Sequence, residues 1–125
     1  MKIKYSDILN TINKADEIKR LQLPIRQSLA VVGALRKCQA AWQDFDTVRQ
    51  GILDKYGFRN LQDVPEEERE QQRKHNESVL PQVNAELNEA LDTEVEIDFQ
   101  PIELARDIEV SVELALAIHW MFKGD

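Results

Sequence analysis

The sequence predicts an α+β fold that is mostly α: a long-helix hairpin or bundle with a small sheet of two or three strands. Two observations predict it. Apolar residues recur every three or four positions over residues 25–56, which is typical of one long amphipathic helix. Residues 2–5 and 93–99 instead alternate polar and apolar side chains, as strands with one buried face do. With 125 residues, the chain is expected to form a single domain, 1–125.

A predicted strand opens the chain and leads into a helix. Lysines alternate with Ile3 and Tyr5, and Ser6 is a residue type that favours the N-cap position of a helix. Pro24 then separates this first helix from the long one, because proline suits the first turn of a new helix and lacks an N–H group.

The long helix is predicted to keep one face apolar along its whole length. The mean spacing of this stripe is about 3.4 residues. Its members are Ile25, Leu29, Val32, Leu35, Cys38, Trp42, Phe45, Val48, Ile52 and Tyr56. At about 1.5 Å per residue the helix is about 48 Å long, so its far end must pack against a second helix or a partner chain. Gly57 favours a helix stop, and Gly33 is explained by the close approach of another helix.

Beyond this helix, a proline and three glutamates at residues 65–68 favour another helix start. Residues 66–78 contain no apolar side chain, so we expect either a solvated helix or partial disorder there. Pro81 is expected to kink this helix or to start a new one.

The last third of the chain predicts a strand and a short helix. The alternating segment at residues 93–99 needs a pairing partner, and residues 2–5 are the obvious one. Ser111 is expected to cap a last helix that contains Met121, and Gly124 to end it.

The net charge of −7 is unevenly distributed along the chain. Residues 1–62 carry a balance of +5 and residues 63–113 a balance of −12, so the two parts can neutralise one another. An acidic chain argues against general nucleic-acid binding, because affinity there comes from neutralising phosphates. The longest apolar runs are too short for a transmembrane helix, so no membrane association is expected.

Motifs for catalysis and metal binding are missing from the sequence. His75 and His119 lie at no recognised ligand spacing, the glycines are dispersed, and the single cysteine, Cys38, is expected to be a buried hydrophobe. Glu94 and Glu96 share a strand face with Asp98. These carboxylates are expected to face solvent or to pair with Lys2 and Lys4, a divalent cation being the alternative. We therefore expect no enzymatic activity, no cofactor and no metal.

Two groups of residues are candidate binding sites. A basic zone at the start of the long helix could hold a small anionic ligand, and its members are Arg26, Arg36 and Lys37. Large apolar residues supply the candidate interface, namely Trp42, Phe45, Trp120, Met121 and Phe122. A helix cannot bury the last three, which are consecutive, on one narrow face, so a homo-oligomer is expected.

The order of these features resembles a family of small uncharacterised proteins encoded by phages and prophages. The resemblance is carried by residues 23–25 (Leu-Pro-Ile), residues 55–57 (Lys-Tyr-Gly), the Asn/Glu-rich helix over 84–91, the strand over 93–98 and the Ser111-capped last helix. Pro81 departs from the family pattern. The resemblance implies a phage context, and no catalytic residue is carried over. The single cysteine and the lack of an apolar leader segment after Met1 favour the cytoplasm, which in that context is the cytoplasm of the host cell.

These observations predict a non-enzymatic phage or prophage accessory protein. It would bind a host protein or a small anionic ligand, for example to counter host defence. The alternative is a phage morphogenesis or tail-assembly factor, which the long helix and the C-terminal apolar cluster also suit.

Overall fold

The structure, a computed structural model, describes residues 1–103 and 108–123. It is mostly α with one two-stranded antiparallel sheet, which confirms the predicted fold class. The regular elements are β1 (Lys2–Lys4), α1 (Tyr5–Asn13), α2 (Ala15–Lys19), α3 (Ile25–Lys55), α4 (Arg69–Leu91), β2 (Glu94–Glu96) and α5 (Val112–Ile118). Single turns of 3₁₀ helix span Leu61–Asp63, Glu66–Glu68 and His119–Met121. Within the described residues, no helix has both the length and the apolar character needed to cross a membrane.

The chain divides into two compact units. Unit 1 consists of Met1–Gln43 and Glu94–Asp125, and unit 2 of Asp44–Thr93. Helix α3 runs through the boundary, so its first part belongs to unit 1 and its last part to unit 2.

The sheet of unit 1 joins the two predicted strands. β1 and β2 are antiparallel, with Lys2 opposite Glu96 and Lys4 opposite Glu94, so opposite charges face each other across the ladder. The N-terminal ammonium lies 2.6 Å from Glu96 Oε1, and this hydrogen bond lowers the pKa of Glu96. The pairing prediction is confirmed. β2 is shorter than predicted, because it ends at Glu96.

Helix α1 begins one residue before the predicted cap. Lys4 occupies the N-cap position with extended φ and ψ and makes no side-chain capping bond, so the prediction of Ser6 as the cap is wrong. The physical reason is that the strand passes straight into the helix, and the last strand residue already has the extended conformation that an N-cap needs.

Two buried clusters stabilise unit 1. One lies around Ile18 and is completed by Val31, Ala34, Leu35, Ile102, Leu114, Ala117, Ile118 and Met121. The other lies next to the sheet and contains Ile3, Ile8, Cys38, Ala41 and Ile97. Both clusters include residues of α3. One face of its first part therefore shares a cluster with α2 and α5, and also shares one with α1.

A buried polar contact ties the end of the chain to α1. Thr11 is fully buried; its Oγ1 lies 2.6 Å from the carbonyl oxygen of Ala117 and accepts a hydrogen bond of 2.9 Å from Trp120 Nε1. The Trp120 ring also contacts Phe99 edge-on, with ring centroids 5.5 Å apart. Trp120 is thus fixed from two sides within its own chain.

The last helix is capped as predicted but ends earlier. The Ser111 side chain accepts a hydrogen bond from the Leu114 N–H, and α5 ends at Ile118 instead of including Met121. The following 3₁₀ turn and an isolated bridge between Phe122 and Ile102 redirect the chain. Trp120, Met121 and Phe122 consequently all pack within the chain, and their sequence alone does not require a partner. Gly124 lies outside the described residues.

Polar side chains stabilise unit 2 at the end of α3. Gly57 follows the helix with φ of 63°, and Gln72 Nε2 on α4 donates to its carbonyl oxygen at 3.0 Å. Asn76 binds both backbone groups of Arg59, accepting from N at 3.2 Å and donating to O at 2.8 Å. His75 Nε2 lies 2.7 Å from the carbonyl oxygen of Tyr56. We call Gln72, His75 and Asn76 the polar clamp.

The polar clamp explains why residues 66–78 are helical without any apolar side chain. Three of their polar residues bind the backbone of the turn at 56–59, and Arg73 forms ion pairs with Glu70 and Glu77 along the helix. Of the two alternatives for residues 66–78, a solvated helix and partial disorder, the helix is correct. The prediction that Pro81 starts a new helix is wrong, because α4 continues through it to Leu91. The lost backbone hydrogen bond is tolerated in a helix fixed by other contacts.

Candidate protein-binding surface

Helix α3 carries apolar side chains on two opposite faces in unit 1. Its buried face contains Val31, Ala34, Leu35 and Cys38. Ile25, Leu29 and Val32 are 75%, 65% and 41% exposed, although the predicted stripe placed them on the buried side. That part of the stripe prediction is wrong, as it is for Val48, which is 53% exposed.

The geometry of an α-helix shows where these exposed residues lie. At about 100° per residue, Ile25, Leu29, Val32 and Arg36 fall within an arc of about 60°, nearly opposite the buried face. We call the apolar strip formed by Ile25, Leu29 and Val32 the α3 outer face. A helix with apolar side chains on both sides is typical of one that contacts a second partner.

Positive charge borders the α3 outer face. Residues 25–43 contain three basic residues and no Asp or Glu, and Arg26, Arg36 and Lys37 are all exposed. Arg36 continues the line of the strip, and Arg26 lies beside its first residue. The Lys37 ammonium donates a hydrogen bond to the carbonyl oxygen of Asp98.

The basic zone does not form one small-ligand site. Arg26 and Lys37 are eleven residues apart on a regular helix, which separates their Cα atoms by about 16 Å along the axis. Lys37 is also already bound to the backbone of unit 1. The three cations therefore border an elongated apolar surface and do not converge on a compact anion.

A small apolar cavity adjoins this surface. It has a volume of about 130 Å³, and Val32 belongs both to its wall and to the α3 outer face. Leu21 and Leu23 line it from the connection between α2 and α3. Because Val32 is common to the strip and the cavity wall, an apolar side chain of a molecule bound on the strip could enter the cavity.

Helix α5 presents a second exposed apolar strip in the same unit. Val112 and Leu116, one turn apart, are 77% and 64% exposed, and we call them the α5 outer face. Residues 108–118 contain two acidic residues, Glu109 and Glu113, and no Lys or Arg. Lys14 Nζ lies 3.3 Å from Glu113 Oε2, a contact that raises the pKa of Lys14, yet the Glu113 side chain stays 80% exposed.

The predicted interface residues lie inside the units. Met121 and Phe45 are buried, and Trp42, Trp120 and Phe122 are half-buried. Trp42 packs against the cluster next to the sheet, and Phe122 against the cluster around Ile18. Val112 and Leu116 are also exposed and were not among the predicted surface residues, although their spacing of four on a short helix is a signal that could have found them.

Unit 2 contains an open cleft with a volume of about 990 Å³. Its wall combines the apolar side chains of Phe58 and Leu61 with both charges, among them Arg59 and Asp63. Arg49 also lines it and is paired with Asp46 at 2.6 Å. A charge-balanced, open wall of this kind selects no ligand class.

The cysteine and both histidines are held by contacts within the chain. Cys38 is fully buried, and burial raises the pKa of its thiol to about 12, which keeps it in the unreactive thiol form. Both histidines contact backbone carbonyl oxygens, His75 that of Tyr56 and His119 that of Leu116. Among residues 1–103 and 108–123, no three His, Cys, Asp or Glu side chains form a group that could hold a metal ion.

No protein-family model, curated protein or solved structure matches this chain.

Proposed function

We propose that this protein is a non-enzymatic accessory protein of the phage and prophage type that it resembles, and that it acts by binding a protein partner on the α3 outer face. The observation that carries the proposal is the second apolar face of α3, which is exposed beside a cavity. Exposed apolar strips with polar borders are characteristic of protein-binding surfaces.

The charges beside the strip define the kind of surface that it binds. Three cations and no anion over residues 25–43 repel a basic surface and attract an acidic one. The bound surface is therefore an acidic one with an apolar ridge, such as the exposed side of an amphipathic helix. A small anionic ligand is the weaker candidate, because the three cations are spread along the helix.

Site-specific photocrosslinking in cells that produce the protein tests this function. A benzoylphenylalanine at Leu29 is expected to crosslink to a defined protein, whereas the same group at the exposed Gln71 of α4 is not. After the crosslinked protein is identified and purified, Leu29→Glu is expected to weaken its binding at least tenfold, because a buried carboxylate at the strip costs several kcal/mol.

Val48→Glu is the matched control, since Val48 is an exposed apolar residue of the same helix in unit 2. Equal binding by wild type, Leu29→Glu and Val48→Glu would overturn the proposal. So would the absence of any crosslink that is specific to Leu29.

A further inference from the structure

The α3 and α5 outer faces of unit 1 are complementary in character. Both are exposed apolar strips whose neighbouring members are three or four residues apart. The charged residues of segment 25–43 are all basic and those of segment 108–118 are all acidic, although one of the latter, Glu113, is paired with Lys14. Each surface thus offers the other an apolar strip and charges of opposite sign.

We infer that the protein which occupies the α3 outer face is a second copy of this chain, bound through its α5 outer face. The inference rests on the proposed function, because it names the partner of that same surface. The two faces are different surfaces, so the contact between α3 and α5 is heterologous and joins copies head to tail, into a ring where it closes and an open chain where it does not.

The charges favour a contact between the α3 and α5 outer faces over a contact between two α3 outer faces. Two α3 outer faces placed against each other would bring Arg26 and Arg36 of one copy near the same residues of the other, and like charges oppose that arrangement. Placing α3 against α5 instead brings these arginines near Glu109 and Glu113. The exposed fraction of Glu113 shows that its ion pair with Lys14 leaves it accessible to such a contact.

The apolar residues supply the attraction that the charges orient. Val112 and Leu116 protrude from a short helix whose other side is buried in the cluster around Ile18. One of them could enter the cavity next to Val32, while Leu29 and Ile25 cover the other. Burying these side chains removes their apolar area from water, which is the main favourable contribution to association.

Charge reversal in the full-length chain tests the inference, with sedimentation velocity at micromolar concentrations as the readout. The wild type is expected to sediment with the mass of two or more chains. Arg26→Glu with Arg36→Glu is expected to weaken self-association at least tenfold, and Glu109→Arg with Glu113→Arg to do the same. The chain that carries all four substitutions is expected to recover most of the lost affinity, since the exchanged charges attract again.

A reversal of two charges elsewhere controls for the change in net charge. Arg59→Glu with Lys74→Glu alters exposed residues of unit 2 and is expected to leave self-association unchanged. Circular dichroism checks that each variant keeps its helical content. Leu116→Ser, which removes an exposed apolar side chain without adding charge, is expected to reduce self-association in the same way.

A monomeric wild type would overturn the inference, and so would an assembly that both charge reversals and Leu116→Ser leave intact. If the wild type is monomeric but Leu29 still crosslinks to a different protein, the proposed function stands and only the identity of the partner is wrong. If Leu29 crosslinks to nothing and the chain is monomeric, both are wrong.

Discussion

The two units of this protein are stabilised in different ways. Unit 1 packs its buried apolar residues into two clusters and uses one buried hydroxyl, that of Thr11, to bind the end of the chain. Unit 2 has fewer buried residues and fixes the turn after α3 through the polar clamp, whose partners are backbone groups. Burial of apolar area is non-directional, whereas hydrogen bonds to the backbone specify one geometry. Substitutions in the two units should therefore differ in how much they lower the free energy of unfolding and in how far along the chain their effect extends.

The largest effect is expected from the core of unit 1. Met121→Ala removes a fully buried side chain and leaves a cavity, so it should lower the free energy of unfolding by about 2–5 kcal/mol. Urea denaturation followed by circular dichroism measures the loss. Leu116→Ala on the neighbouring helix is the control, and its exposed side chain should make the change small. Equal losses for both would mean that Met121 is not the core residue described.

The buried hydroxyl of unit 1 should come next. Thr11→Val keeps the shape of the side chain but leaves Trp120 Nε1 and the Ala117 carbonyl oxygen without their partner, at a cost of about 1–3 kcal/mol. The tryptophan fluorescence of the folded protein should also change, because the indole N–H loses its acceptor. Thr47→Val, an exposed threonine on α3, provides a comparison with the same chemical change.

In unit 2, a substitution in the turn after α3 should lower the stability less and should affect only nearby residues. Gly57→Ala forces a side chain into a left-handed backbone conformation and places its Cβ 3.2 Å from His75 Nε2, so it should cost about 1–2 kcal/mol. Hydrogen exchange should speed up at residues 56–59 and in the first turns of α4, with the sheet of unit 1 unaffected. Faster exchange throughout both units would contradict the separate stabilisation of unit 2.

Gly33 offers a stabilising change with a second readout. A Cβ at Gly33 or Gly51 meets nothing within 4 Å, so the predicted close approach at Gly33 is wrong within the chain. Gly33→Ala and Gly51→Ala should each stabilise α3 by about 1 kcal/mol. If a partner helix approaches the α3 outer face closely, only Gly33→Ala should also weaken self-association. A loss of thermal stability for Gly33→Ala would contradict the open space beside it.

The smallest effect is a pH dependence in unit 2. The hydrogen bond from Lys55, 2.9 Å long, lowers the pKa of Glu86, so the folded state favours its charged form. A carboxyl group whose folded pKa is lowered contributes stability above its unfolded pKa, and loses it as the pH falls through the lower, folded value. Glu86→Gln should flatten this acid limb of the melting temperature slightly, because surface ion pairs contribute little. An acid limb identical to that of the wild type would show that the pair contributes nothing.

Local signals identified the elements more reliably than their partners. The long helix, the two strands and the Ser111 cap are confirmed, because proline, glycine, capping residues and the two periodicities act on neighbouring residues. The stripe of α3 failed for a geometric reason. A spacing of about 3.4 residues drifts around a straight helix of 3.6 residues per turn, so Ile25 and Phe45 fell on opposite faces.

At the candidate surface, too, local signals succeeded where predictions that depend on distant residues failed. Sequence analysis singled out Arg26 and Arg36 from their position at the start of a helix, and the structure places both beside an exposed apolar strip. It misassigned Met121 to an interface, because the end of α5 at Ile118 and the following turn depend on the bridge to Ile102, far away in sequence. Nor does any local pattern show that polar residues of α4 bind the backbone at residues 56–59.

By itself, then, the sequence determined the types and approximate bounds of the helices and strands, since these follow from backbone conformation and periodicity over a few residues. Only the tertiary structure decided which apolar residues are buried. Ile25, Leu29 and Val32 are as apolar as Val31 and Leu35, yet they are exposed because the other elements of unit 1 cover only one side of α3. Burial depends on what the rest of the chain places against a helix face, and that is a property of packing between distant residues.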